Sequence, residues 1–122
     1  MTGRIVAACV LLVGAGTAYA QVSDADDPTA VQQYQSDGVT VIPIGGTSTS
    51  TTVVFSANVT GTNTTASYQL RIELRTTSSG FTGSWTHSAG SYVPYPGGTS
   101  TITVSGLTPG QTYHWQARNY AT

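Results

Sequence analysis

An all-β fold is what this sequence predicts, on three observations from Gly38 onward. Thr and Ser become very abundant, β-branched and aromatic residues recur in short runs, and Gly or Pro clusters interrupt those runs about every ten residues. The clearest run sets Tyr68, Leu70, Ile72 and Leu74 strictly out of phase with Gln69, Arg71, Glu73 and Arg75, the mark of a strand with one buried face and one wet face.

Taken in order, residues 1–20 read as a secretory signal peptide. One arginine (Arg4) precedes an apolar stretch from Ile5 to Val13 and a small-residue stretch ending Ala18-Tyr19-Ala20. The apolar stretch is too short for a membrane span, which needs about 20 residues. Cys9 is the only cysteine, and the apolar run continues past it, unlike a lipoprotein signal, in which that run precedes the cysteine. Cleavage after Ala20 would leave a chain with no thiol, hence no disulfide, thiolate nucleophile or Cys-ligated metal. Residues 21–37 are polar and acidic (Asp24, Asp26, Asp27) and predict a flexible, exposed leader.

The domain proper is then expected over residues 38–122. Val39 to Ile44 predicts a first strand, placed at a sheet edge because Pro43 has no N–H to give. Thr51 to Thr60 turns Val53, Phe55, Ala57 and Val59 to the core. Tyr68 to Arg75 follows, with Arg71, Glu73 and Arg75 on a solvated face. A weaker strand spans Phe81 to His87, and a loop from Gly90 to Gly98 carries Tyr92, Pro94, Tyr95 and Pro96. Thr99 to Ser105 alternates Ile102 and Val104 with threonines, and Gln111 to Tyr120 turns Tyr113, Trp115 and Ala117 inward. That makes about six strands and no helix.

Composition narrows the function. The chain has 122 residues, room for one domain of ordinary size, and 7% of them are charged, against roughly a quarter in a typical soluble domain. Four arginines and no lysine are a thin supply for neutralising phosphates, so nucleic acid is not an expected partner.

The stretch Val104-Ser105-Gly106-Leu107-Thr108-Pro109-Gly110-Gln111-Thr112-Tyr113-His114-Trp115-Gln116-Ala117-Arg118 resembles the E to F region of a fibronectin type III domain. The resemblance covers about residues 39–118. It implies an immunoglobulin-like β-sandwich in which Leu107 plugs the bottom of the core, Pro109-Gly110 makes the tight turn, Tyr113 supplies a tyrosine corner bonded back to the backbone, and Trp115 fills the F strand. Two departures stand out. Phe55 or Val53 occupies the place of the family's buried tryptophan on the second strand, and the sequence stops at Thr122, before a last (G) strand. The sandwich is therefore expected to be C-terminally truncated with an open F-strand edge, either because the chain is a fragment or because another chain donates the strand.

No catalytic or metal site is expected. Outside the leader the candidates for acid–base work are Glu73, Asp37, His87 and His114, which form no recognisable triad or carboxylate pair, and two histidines without a third ligand make a weak metal site. Trp85, Tyr92 and Tyr95 are the candidate binding residues, since sugar rings stack on exposed aromatic faces. The same tyrosines also suit a stiff segment that covers the end of the core. Asn58 and Asn63 stand in glycosylation sequons, and the Arg-Gly-Asp tripeptide is absent. The expected protein is thus a secreted or cell-surface module that needs no cofactor and acts as a spacer or protein-interaction domain. Two other expectations accompany it: a carbohydrate-binding module using those aromatics on polysaccharide at the cell exterior, and a structural subunit that accepts a strand at its open edge. In the family, such modules often link the domains of secreted enzymes.

Overall fold

The structure, a computed structural model, describes residues 27–122 in full and residues 2–11 by their backbone. The Ala18-Tyr19-Ala20 cleavage junction and the acidic leader through Asp26 lie outside the described residues. Among the described residues eight strands follow one another: β1 (Thr2–Leu11), β2 (Thr29–Tyr34), β3 (Val53–Thr60), β4 (Ser67–Thr76), β5 (His87–Ser88), β6 (Val93–Pro94), β7 (Gly97–Val104) and β8 (Tyr113–Ala121). They form two antiparallel sheets, one ordered β2-β3-β7 and the other β1-β8-β4-β5, with β6 also paired to β4. The chain is an all-β sandwich.

The core lies between the sheets and follows the alternation of the sequence. Val53, Phe55, Ala57 and Val59 of β3 and Ile102 and Val104 of β7 face Tyr68, Leu70, Ile72 and Leu74 of β4 and Tyr113, Trp115 and Ala117 of β8, all buried. The Phe55 ring meets the Trp115 indole edge-on, with centroids 4.7 Å apart, a geometry the ring quadrupoles favour. Gly97 and Gly61 stand where backbone or ring comes close. A Cβ on Gly97 (φ +107°) would sit 1.9 Å from the Val59 carbonyl oxygen, and one on Gly61 would strike the Tyr68 ring. The Tyr68 hydroxyl donates to the Asn63 carbonyl and accepts from the Asn63 N–H, fixing the turn between β3 and β4.

Three expectations are corrected. The edge strand of the three-stranded sheet is Thr29–Tyr34, inside the segment read as a leader, whereas residues 39–44 contribute a single bridge, Val41 to Tyr34. The reason is Gln33, a polar residue that is nonetheless buried: its carbonyl oxygen accepts the Trp115 indole N–H at 2.9 Å, and its amide donates to the Pro43 carbonyl. With its polar atoms satisfied, Gln33 can lie in the core and tie β2 to β8. Between β2 and Val41 the chain turns on Asp37, whose carboxylate accepts the N–H groups of Val39 and Thr40, and Ile42 then enters the core.

Second, Phe81 to His87 is a loop except at its end, where β5 begins at His87. Third, the outer face of β4 is only partly wet, with Arg71 and Arg75 half-exposed. Glu73 is fully buried and Gln69 nearly so, because the loop after β4 folds over them. In the full chain the edge of β8 is paired along its length with β1, from Thr2 opposite Tyr120 to Leu11 opposite Tyr113, so the open edge is expected of a chain without residues 1–20. Among the described residues β1 is the neighbour of β8 on that side.

Candidate functional site

The outer face of the β4–β8 pair gathers most of the chemistry of the domain. Register sets Gln69 opposite Tyr120, Arg71 opposite Arg118, Glu73 opposite Gln116 and Arg75 opposite His114. Side chains at paired positions share a face, so these eight form two polar columns on the side of the sheet away from the core.

One end of the columns is organised by Glu73. Its Oε2 accepts the Thr82 N–H at 2.7 Å, the Thr82 hydroxyl at 3.1 Å and the Arg75 guanidinium, while Oε1 accepts the Gly83 N–H at 3.0 Å and the Gln116 amide at 2.9 Å. Burial pushes the Glu73 carboxyl upward, but the hydrogen bonds from Arg75, Thr82, Gly83 and Gln116 outweigh it and hold the group below the ordinary glutamate value. Arg75 also donates to the Thr82 hydroxyl, and the Phe81 ring stacks on His114 with centroids 4.1 Å apart. The loop is therefore fastened to the sheet by a buried carboxylate. Glu73 acts structurally, as an ionised acceptor with every oxygen engaged, which leaves it unsuited to donate a proton.

The other end holds two arginines and, among the described residues, no acid hydrogen-bonded to either. The Arg71 guanidinium lies 3.4 Å from the Tyr120 ring centroid, donates from Nε to Gln69 at 2.9 Å, and approaches the Tyr92 hydroxyl at 3.3 Å. Arg118 is 9% exposed; its guanidinium sits 4.2 Å from the Trp85 centroid and 5.6 Å from that of Tyr120. Its Nε is buried without a hydrogen-bond partner. Burial, reinforced by the neighbouring Arg71 charge and partly offset by Tyr120, lowers the Arg118 pKa to about 10, so it remains a cation at neutral pH.

Of the expected binding residues, Trp85 and Tyr92 come together around this arginine pair, whereas Tyr95 does not. Tyr95 is 43% exposed and its N–H donates to the Ala66 carbonyl near the start of β4. Trp85 is half-buried and carries the Arg118 guanidinium over its ring. Sequence reading did not single out Arg118 or Tyr120. The signal exists only in the β4–β8 register, which opposes residues 47 positions apart, Arg71 and Arg118.

The turn residues take the positions their types suggest. Leu107 is buried and its N–H donates to the Thr51 carbonyl; Gln111 donates back to Thr108 across Pro109-Gly110, with Gly110 at φ +78°. The Tyr113 hydroxyl accepts the Thr108 N–H at 2.8 Å, and Trp115 is 1% exposed. His87 and His114 lie apart in their contacts. Nδ1 of His87 bonds the Thr86 hydroxyl, and burial lowers its pKa, while His114 Nε2 donates to the Ser79 carbonyl. Among the described residues no three His, Cys, Asp or Glu side chains gather as a metal site would require.

A cleft of about 300 Å³ opens elsewhere, between residues 47–51 and 109–112, lined by hydroxyl side chains, Pro109, Gly110 and Gln111 and by no charged or aromatic residue. It offers hydrogen bonds but no group for chemistry or for charge recognition. No protein-family model, curated protein or solved structure matches this chain.

Proposed function

We propose that this chain is a non-catalytic, secreted or cell-surface module of the fibronectin type III kind, serving as a spacer or protein-interaction domain of a larger extracellular protein. The observation that carries the reading is the crossover from β7 to β8. There Leu107 plugs the core, Pro109-Gly110 turns the chain and the Tyr113 hydroxyl ties back to the Thr108 N–H, a tyrosine corner joining the two sheets of a sandwich. The two antiparallel sheets with β4 and β8 at the centre of one of them are in keeping with it. The Arg4-to-Ala20 pattern supports export.

The test separates such a module from one that binds neutral carbohydrate. Soluble neutral polysaccharides are titrated into the full chain while tryptophan emission is followed. The proposal predicts no saturable change. Quenching that saturates and disappears in Trp85→Ala would replace it with the carbohydrate-binding reading.

A further inference from the structure

Two guanidinium groups directly opposite each other across a strand pair repel, and such like-charge pairs are destabilising unless something offsets them. Nothing among the described residues supplies the offsetting acid. Of the three described acids, Glu73 is committed to Arg75 and the loop, Asp37 to the turn at Thr40, and Asp27 precedes β2 of the other sheet. Arg118 is nine-tenths buried with its Nε unpartnered, and Arg71 spends Nε on Gln69 and one Nη on Tyr92. A fold that buries a cation ordinarily pairs it. The rim is aromatic, with Tyr92 41% exposed beside Arg71 and Trp85 half-buried beside Arg118.

We infer that Arg71 and Arg118 form a binding site for a carboxylate carried on a sugar ring, a uronate residue of an acidic polysaccharide. The carboxylate oxygens take the Nη N–H groups of Arg118 and the remaining Nη of Arg71, while Arg118 Nε stays sealed beneath them. The ring packs its C–H face on Tyr92. Both arginine contacts to aromatic rings keep the guanidiniums oriented before the ligand arrives. This goes beyond the module reading, and its failure leaves that reading intact, because the two are tested with different polysaccharides.

The probe is soluble polygalacturonate, titrated into the full chain at low salt with tryptophan emission as the readout; Trp115 is sealed in the core, so the responsive indole is Trp85. Expected are a saturable change, weaker binding as ionic strength rises, and an apparent affinity reduced at least tenfold in Arg71→Gln at an unchanged unfolding transition. Should Arg71→Gln fail to fold, Tyr92→Ala at its exposed site is the second variant, with binding expected to weaken several-fold. The proposal is overturned by the absence of any response, by an equal response to a neutral galactan, or by wild-type binding in the variant that folds. An equal response to polyglutamate also overturns it, moving the site to acidic protein partners.

Discussion

Replacing Glu73 by glutamine keeps the shape of the side chain while removing its charge and one of its two acceptor oxygens. In the native protein Oε1 takes two donors, from Gly83 and Gln116, and Oε2 takes three, from Thr82 N–H, the Thr82 hydroxyl and Arg75. Whichever oxygen becomes NH₂, at least two donors lose their acceptor and face another donor. A buried donor left unsatisfied costs about 1–3 kcal/mol, so two cost about 2–6 kcal/mol, and relaxation of an exposed loop favours the lower half of that range. We expect Glu73→Gln to lose about 3 kcal/mol in urea unfolding of the full chain, with a fall in Tm of about 10 °C or more. The pH dependence has a definite sign. Because the folded carboxyl titrates below its unfolded value of 4.5, its contribution is complete above that pH and is lost as pH falls through the lower folded value. The gap between wild type and variant should therefore close in acid. A loss below about 1 kcal/mol at neutral pH, or a gap that does not change with pH, would refute the claim that this carboxylate fastens the loop.

Other outcomes follow from the same geometry. Tyr113→Phe removes the acceptor of the Thr108 N–H and should cost about 1–1.5 kcal/mol in the same unfolding assay, without changing the far-ultraviolet spectrum. Gly97→Ala drives a methyl group into the Val59 carbonyl at a positive φ, so it should cost more than about 3 kcal/mol or prevent folding, as judged by circular dichroism. Removing residues 1–20 takes β1 from β8, and the uncovered edge should pair between molecules. Size-exclusion chromatography should then show concentration-dependent assembly that a peptide of residues 2–11 suppresses and that the full chain lacks.

Much of the core was legible because it depends on local alternation. In β3 and β4, and over most of β7 and β8, alternate residues are apolar and buried between the sheets, with Ser100 and Asn119 the polar residues in that series. The turn at Leu107 to Tyr113 was legible too, since its spacing is itself the mechanism. What escaped depends on distant partners. Gln33 looks like linker until Trp115, 82 residues away, supplies its hydrogen bond. Glu73 looks solvated until Thr82 and Gly83 close over it, and the loop that carries them has no periodicity to announce its position. Arg71 and Arg118 become neighbours only when β4 and β8 pair. Trp85 and Tyr92 could be named from residue type, but their grouping apart from Tyr95 is a consequence of that pairing.

Residues 2–11 carry two properties at once. An apolar, weakly charged stretch suits an export signal, and the same stretch can pair with an uncovered strand, as β1 does along β8. The central claim is that this is an exported module, and the mass of the chain recovered from outside cells expressing the full reading frame tests it most directly. The account predicts a folded, strand-rich product beginning at Gln21. An intact product beginning at Met1 and retained inside the cell would contradict it, and would make β1 a permanent strand of the sandwich.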